Sequence, residues 1–405
     1  MGNSIPVFND NLKWLSAPDI SKRLDPKNIT PISVFSGGAN VEWIKEGAGG
    51  SIADNGATGN FKMGHKSIKV LSSNLVSCTI VKTISLDLSA ATAIWFRFNV
   101  GQYQYINSIT LYFKDAGDTV SFSYAIGDIT RSAWHDAVIL KSKFADNGAN
   151  WAAIGLVKIV VVGSAGQDGY IYADALYGLK NIMTRAAVVP WFDDGLANAF
   201  TEAKRIMDAY GMSGQLALLT ASIGAGNYLS WDQVRGMQRD AGWSVGSHTH
   251  THTRLTDYTT AAQIDSEMIT SLKSLRAQGI LPSSAMAYPY NAHNTLVQDT
   301  VKRWITFARC GDATRLNLTI PIINRTSMPG FTVLDTTAVS ELDAVVDDAI
   351  SNTTLIIIIF HQLVTVKTLS THWLISEFQS WIDSTAAKDI DVFSFEALAQ
   401  KYGGC

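Results

Sequence analysis

Cysteine is nearly absent from this 405-residue chain. The three it has, Cys78, Cys310 and Cys405, are far apart and form no CxxC pair. Neither a disulfide framework nor a zinc ribbon fits that spacing, so each reads as a small buried hydrophobe or a terminal thiol. Charge of one sign is also missing: 32 Lys+Arg face 35 Asp+Glu, a net charge of −3. Through Lys180 there are 16 basic and 14 acidic residues, and beyond it 16 and 21. Neither half has the basic excess of a phosphate-backbone binder, so no nucleic-acid partner is expected. Long apolar runs are lacking too. The longest, Leu355 to Phe360, is far too short to cross a bilayer, so no membrane partner is expected. The opening MGNSIPVFNDNLKW has no basic stretch followed by an apolar core, and Pro6 breaks the myristoylation pattern. The expectation is a soluble protein without a standard leader. Charged residues make up only 17% and hydrophobic residues 47%, which argues against a disordered chain and for a large buried core. The length predicts two or three domains.

Texture divides what is present. Residues 1–60 are rich in Gly, Asn, Ser and Ala and read as an irregular N-terminal or attachment segment. From about Lys69 to residue 180, β-branched and aromatic segments alternate in period two between Gly, Asp and Asn clusters. Examples are 75–86, 93–99, 108–113, 119–125, 157–162 and 170–176. That pattern predicts an antiparallel β-sandwich over 61–180. Beyond a boundary near 178–187 the pattern switches to continuously apolar strands alternating with helices. VVPWF (188–192), QLALL (215–219) and TLIIIIF (354–360) are the strands; 196–210, 231–241, 260–278, 373–384 and 394–402 are helical. Such strands are buried on both faces, so 181–405 is expected to form a parallel sheet or barrel.

In parallel α/β domains, reactive groups collect at the C-terminal ends of strands. Three strand ends carry them here: Asp193-Asp194-Gly195 after VVPWF, Ser247-His248-Thr249-His250-Thr251-His252 after Trp243–Val245, and His361 after TLIIIIF. His248 and His252 share a face in a helical turn, whereas an extended segment would align His248, His250 and His252. Adjacent carboxylates repel, so a divalent cation can take one and leave the other as a base. A helix N-cap is the competing use of Asp194. Taken with the histidines, the doublet favours a metal site of one Asp and two His with positions open to water. His361, at the same mouth, is placed to act as a general acid.

FDDG (192–195), the stretch 248–252, YPY (288–290) and IIIFHQ (357–362) occur in order. Together they resemble the motifs of the polysaccharide deacetylases, carbohydrate esterase family 4, over about 186–402. The resemblance implies a distorted (β/α) barrel with fewer than eight repeats. It implies Asp193 as general base and Asp194, His248 and His252 as ligands of a divalent metal, most often zinc, with cobalt, nickel or manganese as alternatives. It further implies an oxyanion-holding backbone N–H at Tyr290 and leaving-group protonation by His361. Many members carry Arg two residues before the Pro of the Pro-Tyr motif, where this chain has Ala287. Arg325, in PIINRTSM, is the candidate replacement. His250 reads as a loop neighbour, and His293 and His372 as structural. Trp191, Tyr228, Trp231 and Tyr288 are candidates for a sugar cleft, with core packing the competing use.

The expected function is therefore metal-dependent removal of acetyl groups, chiefly N-acetyl of an N-acetylhexosamine, from a polysaccharide such as a bacterial capsule or exopolysaccharide. An O-acetyl esterase with the same site, and a glycan-binding phage tail or adhesin-type protein with an inert domain, are the alternatives. The sandwich resembles jelly-roll carbohydrate-binding modules in texture, with a spacer or a homo-oligomerisation surface as the other uses. The expected location is extracellular or virion-associated.

Overall fold

The computed structural model describes residues 26–35, 39, 41–57, 66–127, 129, 132–311 and 316–402. The first 25 residues, Trp14 among them, and Cys405 lie outside the described residues.

Two antiparallel sheets of six strands each form the N-terminal unit. In the first, the strands run in the order Ser51–Asn55, Ser67–Ser73, Asp168–Leu179, Ala93–Val100 and Trp134–Leu140, with Ile29–Ser33 on the second half of Asp168–Leu179. The second has the order Ala145–Asn147, Ser121–Ile126, Ile106–Lys114, Ile154–Gly163, Cys78–Leu86 and Ile44–Glu46. Period-two burial, clearest along Ile154–Gly163, turns one face of each sheet inward. Phe96, Phe98 and Ile171 from one sheet meet Leu111, Phe113, Val157 and Ile159 from the other in one apolar cluster. The described part of 1–60 departs from the expected loop. Ile29–Ser33, Ile44–Glu46 and Ser51–Asn55 are strands, and Phe35 stacks on Trp43 at 4.8 Å, both fully buried. Burying two large aromatics outweighs the loop-like composition around them.

Beyond residue 185 the sheet is parallel and curled. Its order is Phe307–Arg309, Ala285–Ala287, Ser244–Ser247, Gln215–Leu218, Ala186–Phe192, Leu355–Phe360 and Phe331–Thr332, with Ile390–Val392 beside the start of Ala186–Phe192. Both faces are buried along the central strands, such as Ala186–Phe192 and Leu355–Phe360, while Phe331–Thr332 at the edge is half-buried. Ala187, Val189, Trp191, Ala217, Ala285 and Ile357 fill the inside of the curl. Val188, Phe192, Leu216, Leu218 and Ile356 meet the surrounding helices. The helices Trp231–Ala241, Ala261–Ala277, Val339–Asn352 and Ile375–Ala386 pack outside. Trp231–Ala241 starts at a capping box between Ser230 and Gln233 and stops at Gly242. Ala261–Ala277 buries Ile264, Met268, Leu272 and Leu275 at the predicted spacing. The helix expected over 196–210 is shorter and less regular: a π-type stretch, Ala199–Lys204, leads into Arg205–Asp208. Trp95, Tyr177 and Leu140 pack against Ile323 where the two units meet, and Asn324 Nδ2 donates to the Asp136 carbonyl at 2.6 Å.

Candidate metal centre and catalytic mouth

Asp193 and Asp194 leave the C-terminal end of Ala186–Phe192 in opposite directions. Asp194 and Gly195 both have positive φ, 69° and 81°, and Gly195 N–H donates to the Asp193 carbonyl at 2.8 Å. That tight turn separates the two carboxylates. A Cβ on Gly195 would lie 2.8 Å from both Ile223 Cδ1 and Leu218 Cδ2, so a larger residue must displace those two side-chain ends as well as take up a left-handed backbone.

The Asp193 side chain is 4% exposed and lies against a fully buried guanidinium. Arg309 Nη2 donates to Asp193 Oδ1 at 2.8 Å and to Oδ2 at 2.6 Å, while Nη1 donates to Asn291 Oδ1 at 2.8 Å. Burial presses the Asp193 carboxyl upward. The positive charge and hydrogen bonds of Arg309 prevail, with help from His248 and His361, and hold it below the usual carboxylate range. This corrects one expectation. Arg325 lies over the Phe307 ring at 5.3 Å and donates its Nε–H to the Ile322 carbonyl, so the guanidinium at Asp193 is Arg309's. Arg309 sits opposite Ala287 in strand register. The charge that the Pro-Tyr motif lacks thus comes from the next strand, at the same level of the sheet. The sequence held a signal for it: FARC places an arginine in an apolar strand, and a buried charge needs a partner.

Asp194, His248 and His252 converge. Their ligand atoms lie within 4.8 Å of one another. His248 Nε2 and His252 Nε2 are 3.2 Å apart, and Asp194 Oδ1 is 3.6 Å and 3.5 Å from them. The donor set fits a divalent ion. Zinc bonds of ~2.0–2.1 Å at tetrahedral angles put ligand atoms about 3.3 Å apart. Asp194 Oδ1 is buried without a hydrogen-bond partner, as expected of an oxygen held for a cation. The other ring nitrogen of His248, Nδ1, lies 2.9 Å from the Ala287 carbonyl. A carbonyl only accepts, so the proton sits on Nδ1 and the Nε2 lone pair faces the cluster. Burial lowers the His248 pKa to about 4, and burial also lowers that of His252. Burial and the adjacent Asp193 charge raise that of Asp194 to about 6. Both imidazoles are therefore neutral and able to ligate at physiological pH.

The loop 248–252 is neither a helical turn nor an extended strand. Thr249 and His252 have φ of 72° and 66°. Glu267, from the helix behind, accepts from the His250 and Thr251 N–H groups at 2.9 Å each and from the Thr251 hydroxyl at 2.7 Å. Sequence reading missed Glu267. This folding brings His248 and His252 together and sends His250 away to Thr220 Oγ1 at 3.0 Å.

His361 Nε2 is 3.8 Å from Asp193 Oδ2, and its Nδ1 is buried without a partner. Tyr290 follows Pro289 with φ 57°. It is 56% exposed, and its ring lies 4.6 Å from that of His252. Trp191 and Tyr288 are fully buried, Trp191 beneath Arg309 and Tyr288 stacked on His293. His293 bridges the Asn291 carbonyl and Ser327, and His372 lies beside Gln362 and Thr368.

Residues 180–304 match the family model described as polysaccharide deacetylase. The chain therefore carries a polysaccharide deacetylase domain, the domain of a class of deacetylating hydrolases, over that range. Among curated proteins it is similar to YxkH of Bacillus subtilis (strain 168), whose name assigns it provisionally to the polysaccharide deacetylases, with 30% identity over 111 residues. The match takes in 27% of this chain and spans 38% of that relative's length. Solved structures with overlapping shape include the carbohydrate esterase domain of a multidomain xylanase from the hindgut metagenome of Trinervitermes trinervoides. It is 16% identical, covers 54% of this chain and 92% of its own, and has a TM-score of 0.36. A family 11 carbohydrate-binding module from Clostridium thermocellum is 15% identical, covers 38% and 96%, and has a TM-score of 0.30.

Proposed function

We propose that the protein is a metal-dependent deacetylase of a polysaccharide, removing chiefly the N-acetyl groups of N-acetylhexosamine units. One observation carries this reading: three ligand atoms of Asp194, His248 and His252 face one another beside a second carboxylate that has its own arginine. Asp194, His248 and His252 would hold the ion. Zinc suits two imidazoles and a carboxylate, as do cobalt, nickel and manganese. The bound ion supplies Lewis acidity toward the acetyl carbonyl and toward water.

The remaining work belongs to the chain's own residues. Asp193, kept ionised by Arg309, accepts the proton of the attacking water as its oxygen bonds to the acyl carbon. The Tyr290 backbone N–H is the candidate donor to the developing oxyanion. His361 gives a proton to the nitrogen as the carbon–nitrogen bond breaks, leaving acetate and a free amine. An ester leaves more readily than an amide, so an O-acetyl esterase would depend less on His361. The two-sheet N-terminal unit is assigned as a jelly-roll sandwich that holds the glycan, or as the surface through which copies of the chain associate. An extracellular or virion-associated setting suits a polysaccharide substrate. No described helix is long and apolar enough to cross a membrane.

The test is acetate release from a panel of bacterial surface glycans. Release abolished by a chelator, restored by divalent metal and lost in Asp193→Asn with metal retained is the expected result. Release unchanged by chelation rejects the metal mechanism. Binding without release from any glycan leaves the protein a lectin.

A further inference from the structure

The rim of the mouth carries an arginine that the proposed chemistry does not use. Arg254 follows His252 by two residues and is exposed. Its guanidinium carbon lies 4.6 Å over the Tyr290 ring, and that ring lies 4.6 Å from the ring of His252. The charge is thus stacked on an aromatic face at the edge of the candidate centre.

Its backbone is anchored on both sides. Leu255 is fully buried, and the Asp257 N–H closes a turn on the Arg254 carbonyl at 3.0 Å. Upstream, Glu267 holds Thr251, whose hydroxyl is 2.9 Å from that of Thr253. The other arginine at the mouth, Arg309, is consumed by Asp193. Among the described residues no carboxylate pairs with Arg254, although Asp257 lies in the same turn. A guanidinium held over a ring keeps its N–H donors, whose planar fork can match a carboxylate or phosphate in bidentate fashion.

We infer that Arg254 selects an anionic glycan, binding a carboxylate or phosphate group on a residue next to the acetylated sugar. This rests on the deacetylase reading for its substrate class, and names the kind of polysaccharide that the site takes.

The test compares an N-acetylhexosamine–uronate polymer with the same polymer after its carboxylates have been reduced to alcohols. A second arm compares a phosphodiester-linked N-acetylhexosamine polymer with a neutral N-acetylhexosamine polymer. Initial rates of acetate release and calorimetric binding are both read on the zinc-loaded full chain. The expected result is a five- to tenfold preference for the anionic polymer of one arm at low salt, on the order of a single exposed charge-assisted contact. The preference shrinks as salt rises. In Arg254→Ala it falls to about one, and Arg254→Lys keeps part of it. The arm that shows the preference identifies the anion. A preference absent in both arms, or unchanged in Arg254→Ala, overturns the inference even if acetate is released. An Arg254-dependent binding preference without acetate release supports it while rejecting the deacetylase reading.

Discussion

The two halves of the molecule differ in how buried charge and left-handed backbone are gathered, although the two-sheet unit too buries a carboxylate, Asp174, and a left-handed residue, Phe35. In the two-sheet unit, ion pairs such as Lys158–Glu46 and Lys66–Asp54 sit at the surface, and non-glycine residues with positive φ include Asn74, Leu75 and Asp118 in turns. In the parallel sheet, Asp193, His248 and Arg309 are buried, and Asp194, Thr249, His252, Tyr290 and Asn291 all have positive φ around one mouth. Both halves bury large apolar cores, so the contrast is not one of stability. Strained backbone and buried charge are costly, and here they collect at the strand ends where the candidate chemistry lies.

Breaking the buried pair should produce the largest effect. Arg309→Met leaves Asp193 buried without a partner. Denaturant unfolding should show a loss of about 3–5 kcal/mol, and acetate release should fall by at least about a hundredfold. An equal cost from removing a surface pair in the N-terminal unit would erase the contrast.

Glu267→Gln keeps the shape of the loop's anchor but weakens its hold on the Thr251 and His250 N–H groups. Metal affinity should drop by about 10- to 100-fold, as for other outer partners of a metal site, measured by competition with a chelator. Burial raises the Glu267 pKa, but its hydrogen bonds prevail and hold it below the usual carboxylate value. A depressed folded pKa contributes stability above the unfolded value of 4.5 that is lost as pH falls through the folded one. The acid limb of the wild-type stability profile should therefore be steeper than that of Glu267→Gln.

Two glycines sharpen the comparison. Gly195 and Gly148 have nearly the same φ, 81° and 79°. An added Cβ meets side chains at 2.8 Å in the first and nothing closer than 3.6 Å in the second. Gly148→Ala should cost about 1 kcal/mol, for the left-handed backbone alone. Gly195→Ala should cost more and reduce acetate release, because Asp193 and Asp194 are aimed by that turn. The smallest effect is expected at the seam between the halves: Lys143→Ala removes a half-exposed pair with Asp348 and should change stability by less than about 1 kcal/mol.

Much of this contrast is legible in the residues. Period-two alternation marked six strands of the N-terminal unit but not Trp134–Leu140 or Ala145–Asn147, and continuous apolar runs marked three of the parallel ones, Ala186–Phe192, Gln215–Leu218 and Leu355–Phe360, but not the short strands Ala285–Ala287 and Phe307–Arg309. Strand ends marked Asp193, Asp194, His248, His252 and His361, because a reactive side chain after a buried strand has little structural use. What escaped depended on contacts between distant segments. Phe35 stacks on Trp43, and composition does not report which aromatics find each other. Arg309 replaces the arginine expected at position 287 from a neighbouring strand, a pairing set by sheet register. Glu267 reads as an ordinary polar helix position until the 248–252 loop is folded against it.

Elemental analysis of the dialysed protein, after loading with zinc, tests the central claim most directly. The wild-type chain should retain about one equivalent, and the triple variant Asp194→Ala/His248→Ala/His252→Ala none. A triple variant that still holds a full equivalent, or a folded wild type that holds none, would contradict the account.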